Sequence, residues 1–484
     1  MELKDPALFR QECYINGTWI SAKETFEVID PADGKVIGTV PSFGQDVARQ
    51  TIIAANAAYP AWKGLTAKER SVILRRWHDL ILEHQIDLAM IMTREQGKPL
   101  VEAAGEVLSG ASYIEWFAEE AKRVYGDTIP TTHKGKRIIV LKEPVGVCAA
   151  ITSCNFPSAM ISRKAAPALA AGCPVIVKPA AQTPFSALAL AELADRAGFP
   201  PGVFNIITGP AEEIGDELTH NPLVRKLSFT GSTRVGKLLM AACADTVKKI
   251  SLELGGHAPF IVFDDADLDK AVAGAIASKY RNSGQTCVCA NRFLVQEGVY
   301  ELFAEKLATA VHAQFRVGPG IDKGNNQGPL IDLNAVIKVE EQIEDALQKG
   351  ARLVVGGKRL GEKGFFFEPT VLVDVTSEMR IAREETFGPV APLFVFKEEA
   401  DAVRMANDSR YGLASYFYSR DIGRAWRVTE ALEYGMVGVN TGRLSSEAAP
   451  FGGMKESGIG REGSKYGIEE YLEIKYMCIG GIDS

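Results

Sequence analysis

The chain is expected to fold as an α/β protein with two parallel sheets, and three observations lead there. From about Val145 onward, short apolar runs alternate with helical patterns, the mark of βαβ units. A glycine pair, Gly255-Gly256, interrupts this alternation and reads as a hinge between two halves. A β-rich segment over residues 128–143, with Pro130 and a basic turn, stands apart from both series.

The first series runs in order. Residues 145–151 read as a strand and 159–171 as a helix rich in Ala and Leu. Residues 175–178 form a second strand, followed by a helix over 184–197. A third strand is expected over 202–207 and a helix over 212–219. A fourth strand, 226–230, opens into a helix over 233–245, and a fifth, 249–254, ends at the glycine pair. The second series places strands at 259–263 and 293–296, with helices over 268–283 and 300–312. It continues through 335–349, 390–395 and 400–407 to a strand over 436–440. Residues 128–143 read as a hairpin inserted into the first domain. The alternating stretch 471–479 is expected to pair with such a hairpin from a neighbouring subunit, on strand-edge logic.

A chain of 484 residues suggests two or three domains. Its formal charge of −7 argues against nucleic acid or an anionic membrane surface as partner, since both need a basic footprint. Lys134-Gly135-Lys136-Arg137 is one short basic run and reads as a solvated turn. No apolar stretch approaches the roughly 20 residues of a membrane span. The eight cysteines form no CxxC pair, which in a chain this size points to reduced thiols and the cytoplasm.

Several residue groups bear chemistry. Gly231-Ser232-Thr233-Arg234-Val235-Gly236 lies where the fourth strand turns into a helix. It reads as an ordinary capped turn or, from its place in the sheet, as a phosphate site at a helix N-terminus. Lys178 ends the second strand, where an acidic residue for a ribose 2′-hydroxyl is absent. A lysine with small neighbours, Ala181 among them, leaves room for a 2′-phosphate. Gly284-Gln285-Thr286-Cys287-Val288-Cys289 puts two thiols at a helix end, either as small buried hydrophobes or with one thiol open as a nucleophile. Glu253 lies between Leu252 and Leu254; burial there raises its pKa and suits a general base, the alternative being a cap. No metal is expected: CxC lacks partner cysteines, and the six histidines form no HExxH pair.

Taken together, these motifs resemble the aldehyde dehydrogenase superfamily across essentially the whole chain. The resemblance rests on Asn155-Phe156-Pro157, Lys178-Pro179, Phe229 to Thr233, Leu252 to Gly256, Gly284 to Cys287, Glu385 to Pro389 and Pro450 to Lys455. It implies a Rossmann-type NAD(P)-binding domain (1–127 and 145–254), an α/β catalytic domain (255–442) and a small β oligomerisation element (128–144 and 443–484). It also implies that Cys287 is the nucleophile, that Asn155 and the Cys287 N–H form the oxyanion hole, and that Glu253 is the base for water. Lys178 and Glu385 match holders of the cofactor riboses, Ser232 of the pyrophosphate, and Phe387 packs near the nicotinamide. Thr152, Ser153, Ala181, Gly231 and Gly236 complete the expected cofactor set, and Ala181, where NAD-preferring members often carry Glu, agrees with NADP or NAD as cofactor.

Within the superfamily the likeness is to succinate-semialdehyde dehydrogenases. There Arg163, Arg281 and Ser445 match residues that clamp a distant carboxylate, a task suited to the forked donors of Arg. The implied partner is a small semialdehyde bearing a carboxylate, with a homodimer or homotetramer as assembly. Cys287 and Cys289 match a pair that in some members forms a reversible disulfide. Two positions depart from the family pattern. Ser153-Cys154 stands where Pro-Trp is usual, and His257 is shared with dehydrogenases for a keto-acid semialdehyde. The expected activity is NAD(P)⁺-dependent oxidation of succinate semialdehyde. The alternatives are glutarate or 2-oxoglutarate semialdehyde, or a non-catalytic binding protein of the same fold.

Overall fold

Five strands rich in Val, Ile and Ala lie parallel in one sheet, because helices cover both faces and leave no side of it to water. In a computed structural model, which describes residues 2–361 and 363–481, their spatial order is Phe204–Ile206, Val175–Lys178, Val147–Ile151, Val224–Thr230, Lys249–Glu253. Numbered along the chain this is 3-2-1-4-5, the dinucleotide-binding order, with its reversal between Val147–Ile151 and Val224–Thr230. A sixth strand, Gly458–Ile459, joins antiparallel to Lys249–Glu253. This stretch, expected within the oligomerisation element, closes the edge of the first sheet.

Helices Gln45–Gly64, Ala67–Glu83, Gln85–Gln96 and Leu100–Glu120, which the pattern reading left undivided, pack around this sheet. Ala48, Ile52 and Ala55 of the first pack against Val147, Ile176 and Leu227, while its Trp62 and the buried faces of the other three share one core with Ile161, Leu169, Leu188 and Phe204. Charged groups enter it only with partners. Glu95 accepts the N–H groups of Phe185 and Ser186 and so caps helix Phe185–Ala197. Glu106 does the same for Ala159–Ala171 through Ser158 and Ala159.

The second sheet has seven strands in the order Arg352–Val355, Thr370–Val373, Val390–Phe396, Ala290–Gln296, Ala258–Val262, Ala414–Tyr418, Met436–Val439. All neighbours are parallel except the first pair. Gly255-Gly256 is the crossover between the sheets. A side chain at 256 would strike the Cys287 carbonyl, so glycine there lets the crossover lie against the turn that carries Cys287.

The third sheet joins Asp127–Ile129, Lys136–Pro144 and Leu472–Gly480. Its last strand pairs with the hairpin of its own chain, from Leu472↔Pro144 to Gly480↔Lys136, and not with a neighbour's as expected. With Asp127–Ile129 on its other side, Lys136–Pro144 is flanked on both edges within one molecule. Residues 482–484 of the expected oligomerisation element lie outside the described residues. No described helix is long and apolar enough to cross a membrane.

Candidate active site

Strained backbone positions the central cysteine. Helix Leu268–Lys279 stops short of the expected residue 283, because Asn282 (φ 51°) and Ser283 (φ 56°) are left-handed within the 3-10 turn Arg281–Gly284. Such conformations cost about 1–3 kcal/mol each unless surroundings impose them. Here Asn282 Nδ2 donates to the Asn155 carbonyl at 2.8 Å, and its backbone N–H donates to Glu102 at 2.9 Å. Ser283 Oγ donates to the Gly328 carbonyl at 2.8 Å.

Cys287 follows on the next turn, half-buried, and lines two cavities at once. The enclosure pushes its thiol up to about 12, against the pull of the Arg163 charge. The resting group is therefore a thiol, and attack requires a nearby proton acceptor.

One cavity, of about 290 Å³, opens at the carboxyl ends of the first sheet, beside the reversal of strand order. Ser153, Asn155, Gly231, Ser232 and Glu253 line one side; Lys338, Glu385 and Phe387 face them. Ser232 caps helix Thr233–Cys243, its Oγ accepting from the Val235 N–H at 3.3 Å. The free N–H groups of that helix suit a phosphate. Glu385 accepts from the Gly256 N–H at 3.0 Å, and Phe387 is held at φ 55°. Gly236, like Lys178, Thr152 and Ala181, lies outside the lining of this cavity; it is buried, and its lack of a side chain lets its helix lie against Leu254.

Lys178, at the end of the neighbouring strand, is buried, donates to the Pro179 carbonyl at 3.2 Å, and is lowered by burial to about 8. Ala181 is exposed just beyond it. Buried oxygens of Thr152, Thr230, Thr386 and Glu253 have no hydrogen-bond partner. Unsatisfied buried oxygens around a cleft fit a polar ligand that fills it, as a nicotinamide dinucleotide would.

Asn155 is held at both ends. Lys98 Nζ and Asn282 Nδ2 each donate to its carbonyl at 2.8 Å, while its own Nδ2 donates to the Gln285 carbonyl at 3.0 Å. Glu253 is buried, and its pKa is raised well above the carboxylate range, first by burial and then by the negative Glu462. Glu462 itself is tied to Lys164 and Arg163.

The other cavity, of about 410 Å³, brings Arg163, Arg281 and Ser445 together with Cys287. Arg163 is buried, 2.8 Å from Glu462 and 3.9 Å over the Phe451 ring, with its Nη2 unpartnered. Arg281 lies 5.3 Å from the Phe156 ring centre. Cys289 faces away from this region: its Sγ contacts the Gly284 carbonyl at 3.1 Å, and Lys279 lies 3.9 Å off. His257 is a satisfied core residue, bonded to the Ile381 carbonyl and kept neutral by burial.

Pattern reading missed Lys98, Glu102, Glu106, Lys338 and Arg443. Glu106 did leave a signal, since it sits with Ala103, Val107 and Gly110 at helical spacing on a buried face. Arg443 left none, for its loop has no period.

A model of the aldehyde dehydrogenase family matches residues 19–477. The succinate-semialdehyde dehydrogenase [NADP(+)] of Escherichia coli is 64% identical over 99% of this chain and 100% of its own. The glutarate-semialdehyde dehydrogenase of Pseudomonas putida is 65% identical over 99% and 100%. The crystal structure of succinate-semialdehyde dehydrogenase from Burkholderia pseudomallei superposes with a TM-score of 0.98 at 62% identity, covering 99% of this chain and 100% of that one.

Proposed function

Because the chain belongs to the aldehyde dehydrogenase family, we propose that it oxidises succinate semialdehyde to succinate with NADP or NAD. The observation that carries this reading is Cys287 at the junction of a cation-lined cavity and a cleft at the switch point of a dinucleotide-binding sheet. The substrate's carboxylate lies against Arg281, Arg163 and Ser445, which points its carbonyl carbon at Cys287. As the sulfur adds to the carbonyl carbon, the carbonyl π pair moves onto oxygen and the thiol proton passes to solvent in the cleft, giving the thiohemiacetal as its oxyanion. Its oxyanion is met by Asn155 Nδ2 and the Cys287 N–H, donors worth roughly 3–4 kcal/mol each.

Ser232, Glu385 and Phe387, with Lys178, Thr152, Ser153, Ala181 and Gly231 nearby, would hold a nicotinamide dinucleotide, which when bound would supply the acceptor for the hydride. A thioester stays on Cys287. Glu253 takes a proton from water, the hydroxide adds to the thioester, and the acid leaves as the thiol reforms. A raised pKa suits Glu253 to this task near neutral pH.

A panel of C4 to C6 ω-carboxy aldehydes, each with NAD⁺ and NADP⁺, tests the reading. Fastest reduction of NADP⁺ with the C4 acid is expected. Glutarate semialdehyde is the second reading, favoured by the relative of that name at 65% identity. A subunit contact is assigned to the third sheet, where Ile474 and Tyr476 are 70% and 62% exposed, too apolar a face to leave in water. Reduced thiols at all eight cysteines fit the cytoplasm.

A further inference from the structure

The larger cavity grades from buried to exposed. Lys98, Tyr113, Arg163 and Phe451 are buried within it, Arg281 is half-buried, and Arg443 and Ser445 are exposed at its mouth. Each buried cation is matched: Lys98 pairs with Glu106 and Arg163 with Glu462. Arg281 and Arg443 differ. Neither guanidinium has an ion pair or hydrogen bond among the described residues, although both lie within electrostatic reach of Glu102. Glu102 is an imperfect counter-ion for two arginines, because it already accepts the Asn282 N–H at 2.9 Å and burial raises its pKa. The mouth thus keeps an excess of forked donors beyond what one carboxylate at Arg281 uses.

An aldehyde that enters carbonyl-first trails its carboxylate toward the mouth, and each added methylene moves that carboxylate outward. Arg281 precedes Cys287 by a single turn and a short loop, while Arg443 projects from a separate loop after strand Met436–Val439. We propose that Arg443 is a specificity-determining residue that receives the terminal carboxylate of ω-carboxy aldehydes longer than four carbons. The cavity would then serve a graded series of chain lengths, with Arg281 as the inner station and Arg443 as the outer one. This rests on the reading of Cys287 and Arg281 given above and adds the residue that sets the upper length.

The test compares the wild type with Arg443→Ala, Arg443→Lys and Arg281→Ala on C4, C5 and C6 semialdehydes and on hexanal. Arg443→Ala is expected to lower kcat/KM for the C6 acid by roughly five- to tenfold more than for the C4 acid, the range of an exposed charge-assisted contact. The loss should fall in KM, and Arg443→Lys should restore part of it. Equal losses on all three acids, or a matching loss on hexanal, would overturn the assignment to Arg443 and leave the proposed activity standing. Failure of the wild type to prefer any acid over hexanal would instead overturn the proposed activity itself.

Discussion

The Ser153 hydroxyl donates to Asn155 Oδ1 at 2.7 Å. That bond fixes which end of the amide faces Gln285 and which N–H remains for an oxyanion. Ser153→Ala should therefore lower kcat by about tenfold, part of one oxyanion donor's worth. KM should change little, and Ser153→Thr should recover most of the rate. A purely packing role would show as lost thermal stability with kcat intact.

Glu253 offers a pH test. Burial and Glu462 raise its pKa, so it holds its proton at pH values where an ordinary Glu has lost it. Turnover should fall as pH drops through that raised value. Glu462→Gln should move the acidic limb of kcat to lower pH, and an unmoved limb would deny the coupling. Glu253→Gln should still give a burst of reduced cofactor while steady turnover collapses, read by stopped-flow absorbance.

Lys178 makes a second, opposite prediction. Burial lowers it to about 8, so its charge is present below that pH and fades above it. KM for NADP⁺ should rise above pH about 8 in the manner of a lost phosphate contact, with NAD⁺ little affected. Ala181→Glu should weaken NADP⁺ more than NAD⁺, and a common effect on both cofactors would contradict the placement.

Lys98 and Glu106 form a fully buried ion pair beside Asn155. Lys98→Met leaves the carboxylate unpaired and should cost about 3–5 kcal/mol. Thermal melting should show the loss, and adding Glu106→Gln should return part of it. Additive losses in the double variant would mean the two groups do not act as a pair.

Strands with both faces buried were legible because each is a continuous apolar run, so Val175–Lys178 and Ala258–Val262 stood out. The start of helix Thr233–Cys243 was legible from its cap, Ser232. The end of helix Leu268–Lys279 was not, because long-range bonds from Asn155 and Gly328 decide it. Cys287 and Glu253 were visible as odd residues in their surroundings. At Gly236 the close approach of Leu254 was not legible, since a glycine needed against a side chain looks in sequence like one needed against a phosphate. Lys98 escaped because it sits in a short link between helices, where no period marks it, and the Asn155 carbonyl it holds is distant in sequence. The partner of strand Leu472–Gly480 was misassigned for a related reason: period two reveals a strand but not whose edge it meets.

Two of the three largest sheets are completed by strands from the far end of the described chain, Gly458–Ile459 and Leu472–Gly480. During synthesis, Lys249–Glu253 and Lys136–Pro144 must wait with bare, hydrogen-bond-hungry borders until nearly all the rest has emerged. Such late closure makes for slow maturation and a nascent chain that tends to stick to its neighbours. Trimming the final dozen residues should thus show first as insoluble product in expression, before any change in catalysis is measured.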